Sequence, residues 1–367
     1  MSTISLPPIY VHTLGDSTLD TFWWGTNGNG SNAEAAKRAT VEGQLEAKLN
    51  SDGQSTYIVD SHAYDGFTTS SVLNGDQVGR VLGITKRNWE QPKRFAYLQN
   101  RGIGHGDSLF VTPLEDLKTS IAKKPDAIHY VVISVGGNDF RERLNNPIAM
   151  LRGIPNVHKR YLEIVDQVKA LSGRDIRPIL MLQYQLDVNN DAYRIYAIFK
   201  IVGLAAIALQ SLSFFTLATS ALLLATKKIG GPAALIFSGI GAIVLASSRR
   251  FIPNTMTVGI LKGQHVGLTT LGGLLKVFYR PILERAKQEC FPILDLPNTL
   301  NPHKPLYTAQ IEPNEEGAKL IAEGICHVIK QHDFTSASSL YSKNGTDTAF
   351  HSSANLPSDW EVSYPTT

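Results

Sequence analysis

Three short stretches of this 367-residue chain carry the residue types that acyl transfer requires. The first is Gly15-Asp16-Ser17-Thr18-Leu19-Asp20, directly after the apolar run Ile9 to Leu14. The second is Tyr64-Asp65-Gly66-Phe67-Thr68-Thr69, and the third is Val135-Gly136-Gly137-Asn138-Asp139. A serine hydroxyl becomes a nucleophile when a base takes its proton and donors await the developing oxyanion. Ser17 supplies the hydroxyl. Gly66 lets a backbone N–H approach a substrate closely, and Asn138 offers a neutral donor that does not titrate. Singly, these motifs are commonplace: a Ser-Thr pair after glycine caps helices, Gly66 suits any tight turn, and Asn138-Asp139 suits a helix start. Their order, each after a strand-like segment, gives them a joint meaning.

Together the three stretches resemble the SGNH (GDSL-type) family of serine esterases and lipases. The resemblance covers about Ile9 to Lys330, apart from a central apolar insertion. It implies Ser17 as nucleophile, with the Ser17 N–H, the Gly66 N–H and the Asn138 side-chain amide as the oxyanion hole. It also implies hydrolysis of lipid esters, acetylated sugars or other small acyl esters, with no cofactor and no metal. Gly106-Asp107-Ser108-Leu109 matches the family's four-letter name more literally. The residues before it are polar and glycine-rich, so no strand presents Ser108, and Ser17 remains the candidate.

The base is where the chain departs from the family. The usual last motif, Asp-x-x-His before the final helix, is replaced by Ala309-Gln310-Ile311-Glu312. Three accounts are open. His303, in the same loop, reaches Ser17 and is oriented by Asp295; Glu312 acts as a weak base; or the chain is a pseudo-enzyme that binds an acyl or sugar ligand.

The elements that must position these residues follow from periodicity. Ile9–Leu14, Thr56–Val59, Ala127–Val135, Pro178–Tyr184 and Pro292–Leu296 read as strands. Glu34–Leu49, Leu114–Ala122, Tyr161–Leu171, Leu274–Gln288 and Glu315–Gln331 read as helices. Ala127–Val135 is nearly all apolar and β-branched, as a strand buried on both faces of a parallel sheet should be. The alternation predicts an α/β fold, a doubly wound three-layer sandwich around a mostly parallel sheet.

Ile201–Thr226 and Ala233–Ser248 carry no charge and flank the turn Lys227-Lys228-Ile229-Gly230-Gly231-Pro232. About 20 apolar residues cross a bilayer, so residues 198–250 are expected to be a transmembrane helical hairpin inserted into the fold. The expected organisation is therefore a hydrolase domain over 1–197 and 251–334, the hairpin, and a flexible Ser/Thr-rich tail over 335–367. The expected partners are a small-molecule or lipid ester and a membrane engaged through residues 201–248. The N-terminus lacks a basic, cleavable leader, so membrane association without a cleaved signal is expected. A net charge of +3, from 35 basic and 32 acidic residues, argues against nucleic acid. Cys290 and Cys326 are too few for a disulfide framework and read as buried core thiols.

Overall fold

A computed structural model describes residues 8–25, 33–53, 55–141, 147–171, 175–184, 219, 264–301, 304–308, 311–343 and 349–353. The expected hairpin (198–250) apart from residue 219, and His303, Ala309 and Gln310, lie outside these residues. Among the described residues no helix is long and apolar enough to cross a membrane. The chain divides into two units, Met1–Asn189 with Leu275–Thr367, and Asn190–Leu274. The first unit holds the sheet and every described candidate residue.

The described residues form nine strands: β1 (Ile9–Gly15), β2 (Tyr57–Ala63), β3 (Asp76–Gln77), β4 (Phe110–Val111), β5 (Ile128–Ser134), β6 (Asp175–Leu182), β7 (Ile293–Asp295), β8 (Leu340–Ser342) and β9 (His351–Ser353). Seven make one sheet in the order β2-β1-β5-β6-β7-β8-β9, parallel throughout except at β9. Strands β3 and β4 form a separate antiparallel pair. The sheet is the expected α/β three-layer sandwich.

Alternation along the strands sorts side chains between two helical layers. Val11, Tyr130, Val132, Ile179, Met181 and Leu294 join the core shared with helices Val41–Leu49 and Glu315–Gln331. Helices Pro113–Ala122 and Pro147–Lys169 lie against the strands from the other face. Helix Glu315–Gln331 starts at Asn314, whose side chain accepts from the Gly317 N–H at 3.0 Å, and carries Glu315 and Glu316 in its first turn. Both features offset the unpaired N–H groups and positive end of that terminus.

Four local expectations need correction. Glu34–Leu49 is two helices, Ala33–Arg38 and Val41–Leu49, because the Thr40 hydroxyl accepts from Gly43 N–H and caps a new start. The helix expected at Tyr161–Leu171 begins at Pro147. The tail contributes β8 and β9 to the sheet, with Leu340 and Tyr341 buried; three-residue strands are too short to show a period. Cys290 is exposed, and Cys326 is half-buried against the core, so neither is fully buried.

Candidate active site

Going outward from β1, the chain order reverses: β2 lies to one side and β5 to the other. In open α/β sheets such a switch point opens a crevice at the carboxyl ends of the strands. Gly15 pairs with both Ala63 and Ser134, so the turns after β1, β2 and β5 leave the sheet side by side. Ser17 and Gly66 sit on the first two of these turns, and Asn138 in the short helix Gly137–Arg141 that follows the third. The neighbouring strand leaves no room for a side chain at residue 15: a Cβ on Gly15 would fall 1.7 Å from the Ser134 carbonyl oxygen.

Backbone bonds lock the turns together. Asp16 N–H donates to Ser134 C=O at 3.0 Å, and Tyr64 N–H donates to Gly15 C=O at 3.1 Å. The Asn138 amide donates to the Phe67 carbonyl at 3.1 Å, which ties the third turn to the second. Asp139, buried, accepts from the Thr69 N–H and hydroxyl at 2.7 and 2.8 Å and from Arg160 at 2.9 Å. Gly66 has φ +81°, a region that favours glycine, and a Cβ there would strike Val81 at 2.2 Å. Among the described residues, no acceptor takes the N–H of Ser17 or of Gly66. Those two donors, with the second amide proton of Asn138, can point to one place at this edge.

Glu312 is brought to the same place from the far side of the sequence. Its loop folds back on itself: Thr308 N–H donates to Glu312 C=O at 2.8 Å, and Asn314 N–H donates to Leu306 C=O at 2.9 Å. Tyr184 holds the loop from below through its hydroxyl on the Ile311 carbonyl. The Glu312 carboxyl is 1% exposed and faces the Ser17 hydroxyl. Neither of its oxygens has a well-formed hydrogen bond, and Arg141 approaches one of them at 3.6 Å. Burial pushes this carboxyl up to about 7, opposed by Ser17 and then by Arg141.

Two further carboxyls share that environment. Burial raises Asp16 to about 7, against the hydrogen bond from the Thr18 N–H at 3.1 Å. Asp65 is held well above the usual carboxylate range by burial, then by the Glu312 and Asp20 charges, although Trp24 donates to it at 2.8 Å. Three carboxyls that resist ionisation lie close to one serine, and each charge that forms disfavours the next, so their protons leave in separate steps that belong to the set.

Asp295 lies buried at the carboxyl end of β7. Its side chain accepts from the Asn298 N–H at 3.3 Å and from the Asn298 amide at 2.6 Å, capping helix Leu296–Thr299. Ser108, the literal motif match, accepts from Phe110 N–H on an exposed loop away from the sheet edge. Arg141 escaped the sequence reading because nothing in its spacing links it to Glu312. Asp16 and Asp65 stand inside quoted motifs, yet their suppressed ionisation depends on burial that a motif does not display.

No protein-family model and no curated protein matches the chain. Among solved structures, the aryl esterase of M. smegmatis is similar at 11% identity and a TM-score of 0.40, over 88% of this chain and 98% of that one. At that TM-score the likeness carries no argument about activity.

Proposed function

We propose that the protein is a serine ester hydrolase in which Ser17 attacks the acyl carbon and Glu312 is the base. The observation that carries this reading is the buried Glu312 carboxyl facing Ser17, without a firm hydrogen bond of its own and with a pKa near 7. A general base works best when its pKa lies near the working pH, and catalytic hydrogen bonds are often loose in an unliganded site.

The Glu312 carboxylate takes the proton of the Ser17 hydroxyl as Oγ bonds to the carbonyl carbon. The carbonyl oxygen becomes an oxyanion facing Ser17 N–H, Gly66 N–H and the Asn138 amide. When the tetrahedral intermediate collapses, the bond to the leaving oxygen breaks and Glu312 returns the proton to that oxygen. Water then repeats the cycle on the acyl-serine, with Glu312 again accepting a proton. Arg141 stabilises the carboxylate between turnovers, against the charges of the neighbouring Asp16 and Asp20.

His303 as base, oriented by Asp295, and a ligand-binding pseudo-enzyme are the competing readings. A fluorophosphonate probe separates hydrolase from binder: labelling in the wild type that vanishes in Ser17→Ala supports the hydrolase. A folded wild type that takes no label is a binder.

The uncharged runs Ile201–Thr226 and Ala233–Ser248 further support membrane association and a lipid-ester substrate, since an anchored site meets membrane esters at high effective concentration.

A further inference from the structure

On the helix-covered face of β1 and β2, away from the catalytic turns, His12, Asp60 and His62 converge. His12 is paired across the sheet with Asp60, and His62 stands two residues further along β2 on the same pleat face. Three ligand atoms, one from each side chain, lie within 4.8 Å of one another. His12 Nδ1 is 3.5 Å from Asp60 Oδ2, and His62 Nε2 is 3.3 Å from the same oxygen. Both histidines are more than nine-tenths buried, and both of these nitrogens lack a hydrogen-bond partner.

The proton count makes this arrangement incomplete. The Lys124 carbonyl can only accept, so the His129 Nε2 that meets it at 2.8 Å must carry a proton. A neutral His129 then has a bare Nδ1, which accepts from His12 Nε2–H at 3.0 Å. That uses the one proton of a neutral His12 and leaves its Nδ1 lone pair facing the Asp60 carboxylate. Two acceptors face each other across 3.5 Å, a contact that a cation held between them reconciles.

We propose that His12, Asp60 and His62 form a binding site for one divalent transition-metal ion of the zinc class. Zinc bonds of about 2.0–2.2 Å to nitrogen and oxygen imply tetrahedral edges of roughly 3.4 Å, close to the two contacts above. The donor set of two imidazoles and a carboxylate suits zinc and its first-row neighbours. His12 has the expected outer support, its second nitrogen donating into His129, which is fixed in turn by a backbone carbonyl. The Asp60 side chain, 38% exposed, gives the ion an entry and leaves a position for water. The site lies about 10 Å back along β1 from the catalytic turn, at three residues of roughly 3.3 Å each. Its role is to tie β1 to β2 beneath the turns that hold Ser17 and Gly66.

The test is a zinc titration of the chelator-stripped full chain by calorimetry. One ion per chain is expected in the wild type, with affinity reduced by at least ~10–100-fold in Asp60→Asn and His62→Gln. His105→Ala, which removes an exposed histidine, should bind as the wild type does. Should the ligand variants fail to fold, cobalt added to the wild type must give the intense visible bands of a four-coordinate nitrogen–oxygen site. Absence of zinc uptake or of those bands in the wild type, or unaltered binding in folded Asp60→Asn and His62→Gln, overturns the proposal in favour of a proton shared along the histidine chain.

Discussion

At the scale of single residues, Glu312 is asked to do two things that conflict. A base must lose its proton, and burial makes that loss costly. With a pKa raised to about 7, turnover should fall as pH drops through that value, because the protonated carboxyl cannot accept from Ser17. The same shift has the opposite sign for stability. Between the usual carboxylate range and pH 7 the folded chain holds a proton that the unfolded chain has lost, so Glu312's contribution declines as pH rises and levels off above it. Glu312→Gln should therefore abolish most turnover, by about 10²–10⁴. It should also unfold at higher urea than the wild type at pH 8, with the difference shrinking toward pH 5. The gain is on the order of 3 kcal/mol; a wild type that is equally or more stable at pH 8 contradicts the buried-base assignment. Asn138→Ala tests the other side of the reaction. It should lower kcat by about 10²–10³ with little change in KM, since the amide acts on charge that exists only in the transition state. Raised KM at unchanged kcat would place Asn138 in ground-state binding.

At the scale of elements, the site depends on three turns being held in register. Asp139 is the clamp, taking two bonds from Thr69 beside the Gly66 turn and one from Arg160 on helix Pro147–Lys169. Asp139→Ala should cost about 2–4 kcal/mol in urea unfolding, since it strands buried donors while Arg160 keeps partial solvent access. A loss below ~1 kcal/mol would mean the turns hold without it. These elements were largely legible in the sequence. The apolar runs before Gly15, before Tyr64 and up to Val135 are strands at nearly the expected positions, because period and β-branching report burial directly. The last helix, Glu315–Gln331, also lies where its periodicity put it. What escaped were the local Thr40 cap that splits a helix and two features set by tertiary context, the short strands β8 and β9 and the histidine cluster. His12 and Asp60 are 48 residues apart in sequence and meet only through strand register. The candidate site was legible as a set of residues, whereas the contact between Ser17 and Glu312 was not, because loop closure over residues 306–314 determines it.

At the scale of the whole molecule, the sheet accounts for where a reaction would occur, and the uncharged runs bear on where the protein works. Replacing Ile201–Ser248 by a short Gly/Ser linker should move the chain from the membrane to the soluble fraction of a lysate. Full-length protein that already partitions into buffer without detergent would remove the support for an anchored hydrolase, while leaving the Ser17–Glu312 chemistry untouched. The central claim is that Glu312, and not a histidine, activates Ser17. It is tested most directly by the pH dependence of fluorophosphonate labelling in the wild type, Glu312→Gln and His303→Ala. The account predicts a wild-type rate that rises through a midpoint near pH 7, a His303→Ala profile that overlays it, and almost no labelling of Glu312→Gln at any pH. Loss of labelling in His303→Ala, with Glu312→Gln still reactive, would contradict it.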